Sequence, residues 1–126
     1  MIRQIAGRPV YVCADDGPCL AEYRELTGLI GELFGSGAKV VAVPLARLGP
    51  DFLRLSSGVA GEVLQKLVNY DFQIAVVGDV SAAAAKSGPL RDFITESNRG
   101  RTVWFVADLA ALEDRLSPER SDRGRG

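Results

Sequence analysis

Residues 72–77 (Phe-Gln-Ile-Ala-Val-Val) constrain the fold more than any other part of the chain. The run is apolar except at Gln73 and stops at Gly78-Asp79. A strand with one wet face alternates apolar and polar residues. A strand apolar at nearly every position is covered on both faces, as the central strand of a parallel sheet is. Residues 39–44 (Lys-Val-Val-Ala-Val-Pro) read as a second buried strand, and residues 102–107 (Thr-Val-Trp-Phe-Val-Ala) as the last one, with Trp104 in the core.

Helical patterns lie between these strands. Over residues 19–34 the apolar positions Leu20, Tyr23, Leu26, Ile30 and Leu33 recur every three or four residues and predict one helical face. Gly35-Ser36-Gly37 supplies the left-handed stop, and Asp15 or Asp16 is expected to cap the start, with Pro18 in the first turn. Val59, Ala60, Val63, Leu64, Leu67 and Val68 predict a second helix ending near Asn69. Leu90, Phe93 and Ile94 predict a third that stops at Gly100, and Asp108 caps a fourth running through Leu116. In the alanine-rich residues 81–87, helix and loop both fit. Residues 2–5 and 10–14 flank Gly7-Arg8-Pro9 and read as a hairpin or strand pair. Residues 45–55 are a connection with a turn at Gly49-Pro50. This alternation predicts a single α/β domain over residues 1–116, with a mixed, mainly parallel sheet and helices packed on it. Residues 117–126 hold no large apolar side chain and read as a disordered polar tail.

Composition narrows the function. A chain of 126 residues has room for one core. Fifteen Lys and Arg against sixteen Asp and Glu give a net charge of -1, which excludes a bulk basic nucleic-acid binder. The Arg-rich tail also carries Glu119 and Asp122, so nucleic acid is not an expected partner. With no histidine, imidazole catalysis and His-based zinc sites are excluded. Cys13 and Cys19 alone fall short of a zinc site, and no metal or cofactor is expected. Cys13 reads as a small buried residue on a strand; Cys19, near a helix start, sits where a thiolate would be favoured. No secretory leader is visible, and no apolar run approaches the roughly 20 residues of a membrane span. A cytoplasmic location with reduced thiols is expected.

The block Leu55-Ser56-Ser57-Gly58-Val59-Ala60-Gly61-Glu62-Val63-Leu64-Gln65-Lys66 resembles a bacterial family, domain of unknown function 4180. The likeness continues through Asn69-Tyr70, residues 74–79, residues 92–100 and Val103-Trp104-Phe105-Val106. It covers residues 39–116 well and the N-terminal third loosely, and the family name implies no activity. A more distant likeness is architectural. The stretch from Val40 through Phe52 to Ser56-Ser57-Gly58 and Leu64 is similar to a sulfate-transporter-and-anti-sigma-antagonist (STAS) domain. That family has Asp-Ser-Ser-Gly at a helix start, and its regulatory members are phosphorylated there. Leu55 replaces the aspartate here.

Several residues are candidates for a site. Ser56, Ser57 and Gly58 precede a helix, where a serine caps a backbone amide and where free amides with the positive dipole end favour a phosphate. Glu62 and Lys66 are one turn apart, a solvated pair or, with Gln65 and Asn69, a polar recognition stripe. Asp79 follows the central strand, where ligands of open α/β sheets gather. A phospho-receiver would also need a lysine after the last strand, and Asp108 follows instead. Glu96 is a general acid or base only if burial raises its pKa, and Asn98 is a helix-end polar group. Gly31-x-x-x-Gly35 lies in an amphipathic helix, not in a membrane span, and Gly58-x-x-Gly61 is half a dinucleotide fingerprint. No catalytic set emerges. The expectation is a non-catalytic, cytoplasmic regulatory or protein-interaction domain of STAS-like architecture, with a protein partner or a second copy of itself, and no membrane. The alternative is an enzyme or small-ligand binder using Ser57, Asp79 and Glu96, which requires those side chains to converge in a pocket.

Overall fold

The computed structural model describes residues 1–117. The polar-tail expectation falls almost wholly outside them. The N-terminal pair is a hairpin. Strand β1 (Ile2–Ile5) runs antiparallel to β2 (Arg8–Val12), and Ala6 and Gly7, both at positive φ, make the two-residue turn. Positive φ at both positions matches the right-handed twist of the flanking strands. Helix α1 (Tyr23–Ser36) leads to β3 (Val40–Pro44), and α2 (Val59–Asn69) to β4 (Gln73–Val77). Helices α3 (Ser81–Lys86) and α4 (Gly88–Arg99) lead to β5 (Val103–Val106), and α5 (Leu109–Leu116) follows. Strand order is β1-β2-β3-β4-β5, parallel throughout except for the first pair.

Both faces of the sheet are covered, as residues 72–77 require. On one face Val41, Val43, Ile74, Val76 and Phe105 pack under α1, α2 and α4. On the other, Val40, Ala42, Ala75, Trp104 and Val106 pack under Leu112 and Leu116 of α5. Period-2 alternation along β3 and β4 sends successive valines and alanines to opposite layers.

Capping follows the expectation at two helix ends, adds an unforeseen cap at a third and departs from the expectation at one. Gly37 closes α1 at φ 79, Asp108 Oδ1 accepts from the Ala111 amide at 2.9 Å, and Ser87 Oγ caps α4 by accepting from Leu90 N. Helix α1, however, starts at Tyr23, four residues after Cys19, and neither Asp15 nor Asp16 caps it. The intervening loop is held by another residue, Arg47. The predicted apolar face of α1 also needs one correction. Tyr23 is 75 % exposed, and Leu29 takes its place in the core. Residues 81–87 resolve in favour of helix.

The outer edge of β5 is blunted by side chains. Asn98 Oδ1 accepts from the Phe105 amide at 2.7 Å, the Asn98 carbonyl accepts from Arg115, and Trp104 Nε1 donates to the Gly100 carbonyl at 2.9 Å. A free strand edge would otherwise offer its amides to another chain. Burial pushes the Arg115 guanidinium below its ordinary pKa.

Candidate functional site

The turn at residues 56–58 is built differently from the predicted anion cradle. Leu55–Ser57 form one 3-10 turn, and Gly58 enters α2 at φ 79. The Ser57 amide donates to the Arg54 carbonyl at 2.9 Å, the Gly58 amide to the Leu55 carbonyl at 3.1 Å, and the Val59 amide to Ser57 Oγ at 3.2 Å. Ser57 Oγ in turn donates to the Asp51 carbonyl at 2.8 Å. These three amides therefore have acceptors within the chain, and Ser57 fastens the preceding loop to the helix. Ser56 is exposed.

The three groups of the alternative reading do not meet. Asp79 is exposed and accepts from the Ser81 hydroxyl at 2.6 Å and the Ser81 amide at 2.9 Å, which starts α3. Those hydrogen bonds hold its carboxyl below the usual range. Glu96 lies 3.4 Å from Arg99 on the solvent side of α4. Asn98 serves the β5 edge.

Glu62 and Lys66 do come together with other groups, but not as an ion pair. Lys66 turns its ammonium over the Tyr23 ring, 4.3 Å from the centroid, and Gln65 Nε2 donates to Asn69 Oδ1 at 2.8 Å. A cation over an aromatic face is favourable electrostatically, and the ring also shields the lysine stem. These four residues, with Tyr23, Leu26, Val63 and Tyr70, line a groove of about 580 Å³ between α1 and α2. Beside it, Phe34 packs edge-on against Tyr70 at 5.5 Å and against the buried Phe72 at 5.4 Å. Tyr23, Phe34 and Tyr70 are 75 %, 59 % and 45 % exposed. On the outward ridge of α1, Gly31 and Gly35 stand in open space.

A second cavity, of about 550 Å³, opens at the carboxyl end of β2. Arg47 reaches it from the turn after β3. Its Nε donates to the Pro18 carbonyl and one terminal nitrogen to the Ala14 carbonyl, both at 2.9 Å, and the guanidinium lies against Gly17 at φ 140. This clamp replaces the expected aspartate cap. Cys13 is buried in the same wall, and burial pushes its thiol up to about 11 against the opposing pull of Arg47. The Tyr11 hydroxyl donates to Glu32, which, with burial, pushes the phenol up to about 12. The sequence reading missed Arg47 altogether. Its one signal was a cation between apolar residues, Leu45-Ala46-Arg47-Leu48, directly after a buried strand.

Among the described residues, no three His, Cys, Asp or Glu side chains are placed to hold a metal ion, and no helix is long and apolar enough to cross a membrane. Fold and surface together define a mixed, mainly parallel α/β domain with exposed aromatic residues along α1 and at the end of α2. The chain matches the family described as "Domain of unknown function (DUF4180)" over residues 5–116, N-terminal hairpin turn included, and belongs to that family. No curated protein and no solved structure matches it.

Proposed function

We propose that this protein is a non-catalytic protein-interaction domain whose docking face is the outer side of α1 and α2, and that the face is covered by a second copy of the chain. The observation that carries this reading is the gathering of Tyr23 and Tyr70 at one groove with Phe34 packed against Tyr70 beside it, all three substantially exposed. Aromatic side chains supply large contact area with few rotors to freeze and are enriched at the centres of interfaces. The face is also balanced in charge. Glu62 and Lys66 are one helical turn apart, so a two-fold axis near them sets each opposite the other's counterpart. Gly31 and Gly35 let a neighbouring helix approach α1 closely. The engagement of Ser57, Asp79 and Glu96 in separate local contacts weighs against the enzyme alternative.

A regulatory role belongs to the same proposal. The sequence likeness of Ser56-Ser57-Gly58 to the STAS motif is what suggests it, and of the two serines Ser56 is the more exposed. The test is light scattering across a concentration series of the full chain. The expected result is twice the monomer mass for the wild type and the monomer mass for a Tyr23→Ser, Phe34→Ser double variant with unchanged circular dichroism. A wild type that stays monomeric up to millimolar protein overturns the proposal.

A further inference from the structure

We propose that the cavity at the carboxyl end of β2 binds a free α-amino acid, with its carboxylate on Arg47 and its ammonium on the acidic side chains of α1.

Arg47 is 9 % exposed, yet its two protein acceptors are neutral carbonyls. Among the described residues no carboxylate lies within ion-pair distance of it. A cation taken out of water without a counter-charge is costly, and the usual remedy is an acidic partner. The remaining terminal nitrogen of the guanidinium has no acceptor in the described chain. That nitrogen is not sealed, because every sealed side-chain nitrogen or oxygen has a hydrogen-bond partner. Arg47 lines the cavity, and we assign its free donor to a ligand there. A guanidinium clamped on two sides and open on the third is pre-organised for a carboxylate.

The rest of the wall narrows the ligand. Asp15, Glu25 and Glu32 also line the cavity, and Leu20 and Leu29 supply apolar surface between the charges. With Arg47, the exposed Arg3 and the Met1 ammonium, the wall sets three cations against three carboxylates, which suits a ligand carrying both charges better than a phosphate or a dicarboxylate. A simple cation would leave Arg47 unmatched. A zwitterion matches both ends, and an apolar side chain fits the leucines. The volume is within the usual range of small-ligand sites, roughly 300–1,000 Å³. The position agrees, since ligands of open α/β sheets lie beyond the carboxyl ends of the strands.

This site shares no lining residue with the α1–α2 groove, so the two proposals fail separately. The test is amide NMR of the wild-type chain titrated with each of the twenty free L-amino acids. The expected result is saturable shifts at residues 13–20 and 25–32 for amino acids with apolar side chains. No such shifts are expected for the matching amino-acid amide or N-acetyl derivative, each of which lacks one charge. Because Arg47→Met can loosen the loop it clamps, the second variant is the half-buried Glu25→Gln. It should keep the fold and lose about tenfold or more in affinity, the scale of one charge-assisted contact. Overturning results are no shift with any amino acid at millimolar concentration, equal binding of the amide, or undiminished affinity in Glu25→Gln.

Discussion

Gly31 and Gly35 put the docking proposal to a test in which two measurements must move in opposite directions. Both lie within α1, and a Cβ built at either meets nothing within 4 Å. Glycine in a helix interior costs about 1 kcal/mol relative to alanine, because it loses more backbone freedom on folding. Gly31 is mid-helix and carries the full penalty; Gly35 is in the last turn, where about half of it applies. Gly31→Ala should therefore stabilise the isolated chain by ~1 kcal/mol and the double variant by ~1.5 kcal/mol. With an unfolding entropy of ~2 cal/mol/K per residue, 1 kcal/mol moves Tm by ~4 °C in a domain of this size. The assay is thermal denaturation at a concentration where the chain is monomeric, paired with sedimentation equilibrium at high concentration. The expected pairing is a rise of ~4–6 °C and association weakened by about tenfold or more, because the new methyl groups fill the space a neighbouring helix would enter. A Tm that falls would show that these positions are crowded in the folded chain. A Tm that rises with association unchanged would remove the α1 ridge from the contact.

Two further predictions concern the framework. Asn98→Ala removes the acceptor of the Phe105 amide at the β5 edge, and the loss should be ~1–3 kcal/mol in urea unfolding, with Asn98→Asp retaining most of the stability because an oxygen stays in place. An alanine variant as stable as the wild type would refute the edge role. Alkali should unfold the protein in a defined window. The folded-state pKa of Cys13, about 11, and of Tyr11, about 12, lie above the ordinary 9 and 10, so the folded chain holds these protons more tightly than the unfolded one. The stability they contribute is complete below pH 9 and is lost as pH rises through 11 and 12. Cys13→Ala should flatten the first part of that fall, and a urea midpoint independent of pH between 9 and 11 in the wild type would contradict it.

The strands and helices were legible because their signals are local. Residues 72–77 announce burial on both faces by composition alone, and the α2 pattern of Val63, Leu64 and Leu67 names the residues that end up in the core. Periodicity misled at the start of α1: Leu20 falls in the preceding loop, and Tyr23 faces solvent. It lies on the apolar stripe by spacing, but α1 begins there, and the ring projects past the end of the layer to meet Lys66. The site was less legible. Ser57, Asp79 and Asn98 are polar residues at element ends, where a side chain can satisfy a local amide or leave it for a ligand. Sequence does not distinguish those outcomes, because the deciding acceptor belongs to the folded loop. For Ser57 that acceptor is the Asp51 carbonyl, six residues back.

Arg47 shows the limit in its sharpest form. Beyond its apolar neighbours, nothing in Leu45-Ala46-Arg47-Leu48 says what the cation binds, since its acceptors, Ala14 and Pro18, are about thirty residues away and are backbone carbonyls that leave no trace in side-chain identity. The loop it clamps is also the one in which an aspartate cap was expected. The two facts are connected. Once the guanidinium gathers the carbonyls of Ala14 and Pro18, residues 14–18 turn around it instead of leading directly into the helix, and α1 starts only at Tyr23. That delay leaves room for the β2 cavity and also places Tyr23 at the free end of α1. One buried cation thus displaces the helix start and helps shape both candidate surfaces, although no local pattern around it points to either.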